Sequence, residues 1–133
     1  MTLIVRLSKL DGPDREVDAE LEALFIGGRV HYNDPANKEA VIERPIDGLW
    51  IRGIYPYRKI ARYTASVDAA IALAERVLPG WTIARLGQDD NKQWNAELRQ
   101  GHLTAYDRVT LGGAPNGAIA LCIAILRAKE AST

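Results

Sequence analysis

Between Arg52 and Ala70 the chain reads RGIYPYRKIARYTASVDAA, with four basic side chains (Arg52, Arg58, Lys59, Arg62), three tyrosines (Tyr55, Tyr57, Tyr63) and no acid before Asp68. Trp50 stands just upstream. Guanidinium and ammonium groups hold phosphates and carboxylates through charge-assisted hydrogen bonds, and an aromatic ring offers a planar base a face to stack on. Three readings of the stretch are open. It is a solvated basic loop whose rings pack on the core. It is a site for an anion or nucleotide, built from Trp50, Arg52, Tyr55, Tyr57, Arg58, Lys59, Arg62 and Tyr63. Or it pairs with the acidic helix of a neighbouring subunit, since Asp11, Asp14, Glu16, Asp18, Glu20 and Glu22 crowd the N-terminal region against only Arg6, Lys9 and Arg15.

Other reactive residue types are sparse. Two histidines, His31 and His102, and one cysteine give no Cys-x-x-Cys or His-Glu-x-x-His spacing, so no zinc site and no cofactor are expected. Cys122 lies inside ALCIAIL, an apolar setting that raises a thiol pKa and suits packing better than nucleophilic attack. Ser66 reads as a helix cap, and no serine sits in Gly-x-Ser-x-Gly. Asp89 and Asp90 are adjacent, in a stretch with turn composition. His102, Tyr106, Asp107 and Arg108 cluster closely enough for acid–base work, although ordinary surface strand polarity is the simpler explanation. LGGAPNG precedes a helix as a phosphate loop would, but without the Lys-Ser/Thr of a P-loop; Asn116 is the expected cap.

The elements that position these residues follow from periodicity. TLIVRLSKL carries helical spacing, and REVDAELEALF forms a second helix capped by Asp14 and stopped at Ile26-Gly27-Gly28. RVHYN and LWIRGI read as strands, with Pro56 barring a central strand beyond. The segment between them, 34–48, reads as a mobile excursion with two prolines and a polar middle. SVDAAIALAERVLPG is a helix capped by Ser66 and ended by Pro79-Gly80. WTIARL and QWNAELR form a hairpin around GQDDNK, HLTAYDRVTLGG continues as a strand, and APNGAIALCIAILRAKEA closes as a helix. The expected class is α+β, with a mostly antiparallel sheet and helices packed on it.

The chain has 133 residues, which suits one domain over 1–133, and 17 basic residues balance 17 acidic ones. Zero net charge argues against general nucleic-acid binding. A single cysteine, no signal-like N-terminus and an apolar run of only nine residues, Ala118 to Leu126, predict a cytoplasmic protein without a membrane partner. That run is apolar on every side, so it is either central or the interface of a homo-oligomer formed through the C-terminal helix.

Three blocks, GPDREVDAELEAL, RYTASVDAAIALAERVLPGW and NGAIALCIAILRA, resemble the small phage and prophage proteins of the phage ABA sandwich domain family. The likeness runs from Gly12 to Ala128 except for 34–48. It implies an α/β/α sandwich and a phage or prophage origin in a bacterial host, and it brings no established activity or catalytic residues. The expected function is stoichiometric binding of an anionic small molecule, such as a signalling nucleotide, in an anti-defence type of role. The alternatives are a structural or host-protein-binding phage protein, and an enzyme acting on a phosphorylated substrate.

Overall fold

A computed structural model describes residues 2–101 and 108–131. In chain order these form helices α1 (Leu3–Ser8) and α2 (Arg15–Phe25), strands β1 (Arg29–Asp34), β2 (Glu39–Ile46) and β3 (Leu49–Pro56), a single 3-10 turn (Tyr57–Lys59), helix α3 (Val67–Val77), strands β4 (Trp81–Gln88), β5 (Trp94–Gln100) and β6 (Val109–Ala114), and helix α4 (Gly117–Ala131). The class is α+β. The strands make two separate antiparallel sheets, β1-β2-β3 and β4-β5-β6, each a meander of neighbours in sequence.

Local chemistry sets the helix ends. Asp14 accepts from the Val17 N–H at 3.0 Å, Ser66 from the Ala69 N–H at 3.2 Å, and Asn116 from the Ala118 and Ile119 N–H groups at 2.7 and 3.2 Å, so each helix start has a side-chain acceptor for its orphan donors. After α2 the chain reverses through Gly27, at φ 74°, and the Gly28 N–H returns to the Ala23 carbonyl at 2.8 Å, a Schellman closure that needs the left-handed residue.

The sequence reading of 34–48 as an excursion is corrected: it contains β2, the middle strand of the first sheet. Ala40 and Ile42 turn inward and are fully buried. Asp47 and Gly48, both at positive φ (51° and 81°), make the two-residue turn into β3.

α4 is the centre of the core. Its residues from Gly117 to Leu126 are all buried, with the second sheet on one side and α1 and α3 on the other. α2 then packs against α1 and α3, and on β1 and β2. The helices therefore lie between two sheets, whereas the α/β/α order implied by the resemblance places a sheet between helices. The all-round apolarity of α4 is used up within the chain. The expected homo-oligomer contact through this helix has no exposed apolar face to use. Close approach of α4 to the second sheet depends on Gly112, where a Cβ would stand 2.1 Å from the Ala120 carbonyl oxygen. Among the described residues no helix is long and apolar enough to cross a membrane.

Candidate functional site

The basic segment after β3 is pinned to α2 by a buried network. Asp18, with no exposed surface, accepts from the Thr64 N–H and hydroxyl, both at 2.8 Å, and from Arg15 Nη1 at 2.7 Å. Arg15 also donates through Nη2 to the Ile60 carbonyl at 2.8 Å and to the Tyr57 carbonyl. Tyr63 donates to Glu22 Oε1 at 2.5 Å. The acidic helix and the basic stretch are thus neighbours in one chain. What the helix binds is the backbone and hydroxyls of the stretch, and its cationic heads are left over.

Two of those heads, Arg58 and Arg62, border a cleft of about 660 Å³. Asn37 and Lys38 of the β1–β2 turn and Glu39 at the start of β2 line it together with Arg58 and Arg62. Tyr57 also lines it, and its hydroxyl donates to Asn33 Oδ1 at 2.6 Å, which ties the ring to β1. Burial, followed by the field of Glu16, raises the Tyr57 pKa and keeps the hydroxyl a donor. Lys38, at the end of the turn, holds positive φ (53°) and lines the cleft. The side chains of Lys38, Arg58 and Arg62 are exposed and have no ion pair or hydrogen bond among the described residues. Three cations around one concavity repel one another, and an anion placed among them relieves that repulsion.

The eight residues singled out from sequence divide into three groups. Tyr57, Arg58 and Arg62 meet at the cleft. Tyr63 is 2% exposed and belongs to the core, its ring tilted against Phe25 with centroids 6.4 Å apart; burial and the bond to Glu22 drive its pKa far up. Tyr55 is half-buried against the core, and Lys59 points to solvent without lining the cleft. Trp50 and Arg52 lie on the outer face of the first sheet in a different cluster. There Glu43 accepts from Arg52 Nε at 3.1 Å and Arg29 Nε at 3.4 Å, and Arg29 stacks 3.9 Å above the Trp50 ring. Arg52, followed by Arg29, holds the Glu43 carboxyl below its usual value. Arg15 and Lys38 are cleft residues that the sequence reading did not include; they come from α2 and the β1–β2 turn, far from the basic stretch in sequence.

The remaining candidates have structural employment. Asp89 closes the β4–β5 turn by accepting from the Asn91 and Gln93 N–H groups at 2.9 and 3.0 Å, and the Gln93 bond lowers its pKa. Cys122 is fully buried, its thiol pushed up to about 12 by burial, and it donates to the Tyr63 carbonyl. Asn116, from LGGAPNG, caps α4 and donates to the Thr64 carbonyl at 3.1 Å. Arg108 donates to the Ala131 carbonyl. His102, Tyr106 and Asp107 lie outside the described residues. No family model matches the chain, and neither a curated protein nor a solved structure matches it.

Proposed function

We propose that this chain is a binding protein for an anionic small molecule, held in the cleft between the β1–β2 turn and the segment 57–62. The observation that carries the reading is the convergence of Lys38, Arg58 and Arg62, all without a partner among the described residues, on a concavity that Tyr57 also lines. Its volume falls within the roughly 300–1,000 Å³ of ordinary small-molecule sites. The two arginines suit a phosphate or carboxylate bound in fork geometry. The Glu39 carboxylate adds an acceptor for the hydroxyl or amine of a nucleotide-like ligand. The lining supplies charge and hydrogen bonds rather than a nucleophile beside a base, which favours holding a ligand over turning it over. A signalling nucleotide is the ligand class this reading favours. The resemblance of three sequence blocks to phage sandwich proteins favours a phage or prophage accessory role, in which sequestering such a molecule acts stoichiometrically.

Calorimetric titration with inorganic phosphate, nucleoside monophosphates and cyclic dinucleotides tests the reading. A saturable site weakened about tenfold by each of Arg58→Ala and Arg62→Ala is the expected result, one charge-assisted bond being worth about 1.5 kcal/mol or more. Titrations without heat for every anion, or binding that ignores both substitutions, would contradict it.

A further inference from the structure

Each sheet ends in two edge strands, and three of these four edges are guarded. β1 carries a register break between Val30 and Tyr32 and is tied to α2 by Asn33, which donates to the Glu16 carbonyl at 3.3 Å. β4 carries a break between Ile83 and Arg85. β6 has its Leu111 carbonyl occupied by Arg127 at 2.7 Å. Bulges and charged side chains on an edge are the usual means of preventing strand addition. β3 has no bulge, and the one charged side chain along it, Arg52, is paired with Glu43 of β2 at 3.1 Å. It runs eight residues in unbroken register with β2, and its first proline is its last residue.

The direction of its free backbone groups can be read from one bond. The Tyr57 N–H donates to the Lys38 carbonyl at 2.8 Å, so the odd-numbered residues of β3 turn towards β2. By the alternation of an antiparallel ladder, the N–H and carbonyl groups of Trp50, Arg52 and Ile54 turn away from it. The same residues put their side chains on the outer face, where Trp50 is 46% and Ile54 66% exposed.

We propose that β3 is the interface for a second copy of this chain, the two strands pairing antiparallel about a two-fold axis to join the three-stranded sheets into one of twice the width. An antiparallel strand paired with itself always sets residues of like parity opposite each other, so its outward groups meet their own kind and are satisfied in both halves. With the axis at Arg52, Trp50 faces Ile54 of the second copy twice, an aromatic–β-branched pairing of the favourable kind. Like charges meet only at Arg52. That charge is already offset in each copy by Glu43 at 3.1 Å, and the copies carry no net charge to hold them apart, with 17 basic and 17 acidic residues each. This contact is separate from the cleft and independent of α4.

Sedimentation velocity on the full chain and on Ile54→Pro, with amide exchange on the wild type, tests the proposal. The proline removes one outward N–H and no bond of the β2–β3 ladder. The expected result is a species of twice the chain mass at tens of micromolar, a monomer for Ile54→Pro with unchanged far-UV circular dichroism, and slow exchange at Trp50, Arg52 and Ile54 in the wild type. A wild-type monomer throughout the range overturns the proposal, as does a dimer whose three amides exchange freely. Should Ile54→Pro fail to fold, the wild-type exchange pattern decides by itself: protection at those amides in a dimer supports the pairing, and free exchange refutes it.

Discussion

Asp18 and Thr64 are joined twice: the backbone N–H and the hydroxyl of Thr64 each donate to Asp18 Oδ1 at 2.8 Å. With Arg15 on the other carboxylate oxygen, a charge with no access to water is fully coordinated. The consequence reaches the cleft, because the same contacts fix the end of the segment that carries Arg58 and Arg62.

Truncating this carboxylate leaves the fully buried Thr64 N–H without its acceptor and takes from Arg15 its only carboxylate partner among the described residues. Asp18→Ala is therefore expected to cost about 3 kcal/mol of stability, in the range for breaking a buried ion pair from one side. Urea unfolding followed by circular dichroism measures it. A loss no larger than that of an ordinary surface substitution would show that the network is not a structural anchor.

The contact between the second sheet and α4 makes a sharper steric prediction. A Cβ on Gly112 would lie 2.1 Å from the Ala120 oxygen and 2.7 Å from the Ala124 nitrogen, both backbone atoms that cannot step aside. Gly112→Ala is expected to destabilise by about 2 kcal/mol or more. Gly87, in β4, has nothing within 4 Å of its Cβ position, and Gly87→Ala is expected to be neutral or mildly stabilising. Thermal unfolding of the pair checks the contrast, which an equal response of the two variants would remove.

The outer-face cluster predicts a pH dependence. Glu43 is held below its ordinary value of 4.5, chiefly by Arg52, so its contribution to stability is complete above that pH and is lost as the pH falls through the lowered folded-state value. Glu20 runs the other way. Burial raises its pKa above 4.5, so its contribution is complete below that pH and disappears as the pH rises through the raised value. The stability difference between wild type and Glu43→Gln should therefore shrink on acidification below about pH 4.5, and that between wild type and Glu20→Gln should become less favourable to the wild type on going above it. Chemical unfolding across acidic pH reads both trends, and parallel profiles for all three proteins would count against the assignment.

How much of this was legible in the sequence depends on how local the signal is. Asp14, Ser66 and Asn116 cap helices through donors two or three residues away, and all three starts could be read. The β4–β5 hairpin announced itself by alternation about a polar turn. β2 was hidden by Pro45, which argues against a central strand. Yet Pro45 lies past the end of β1, whose last partner is Glu43, so its missing N–H removes no ladder bond on that side. The Asp47-Gly48 pair between two eight-residue β-rich runs was the available signal for the hairpin. The division of the basic stretch needed the fold. Trp50 and Arg52 precede the bend and follow strand alternation onto the outer face; Arg58 and Arg62 follow it and turn to the cleft, where Lys38 joins them from a turn about twenty residues earlier in the chain.

Native mass spectrometry of the protein from bacterial lysate, before and after denaturing extraction, tests whether the cleft holds an anion. The expected result is a retained mass of nucleotide size that is released on denaturation and absent from the Arg58→Ala, Arg62→Ala double variant. A protein that carries no adduct from lysate and takes up none of the anions offered to it, or an adduct equally retained by the folded double variant, would contradict it, and Lys38, Arg58 and Arg62 would then be a solvated rim.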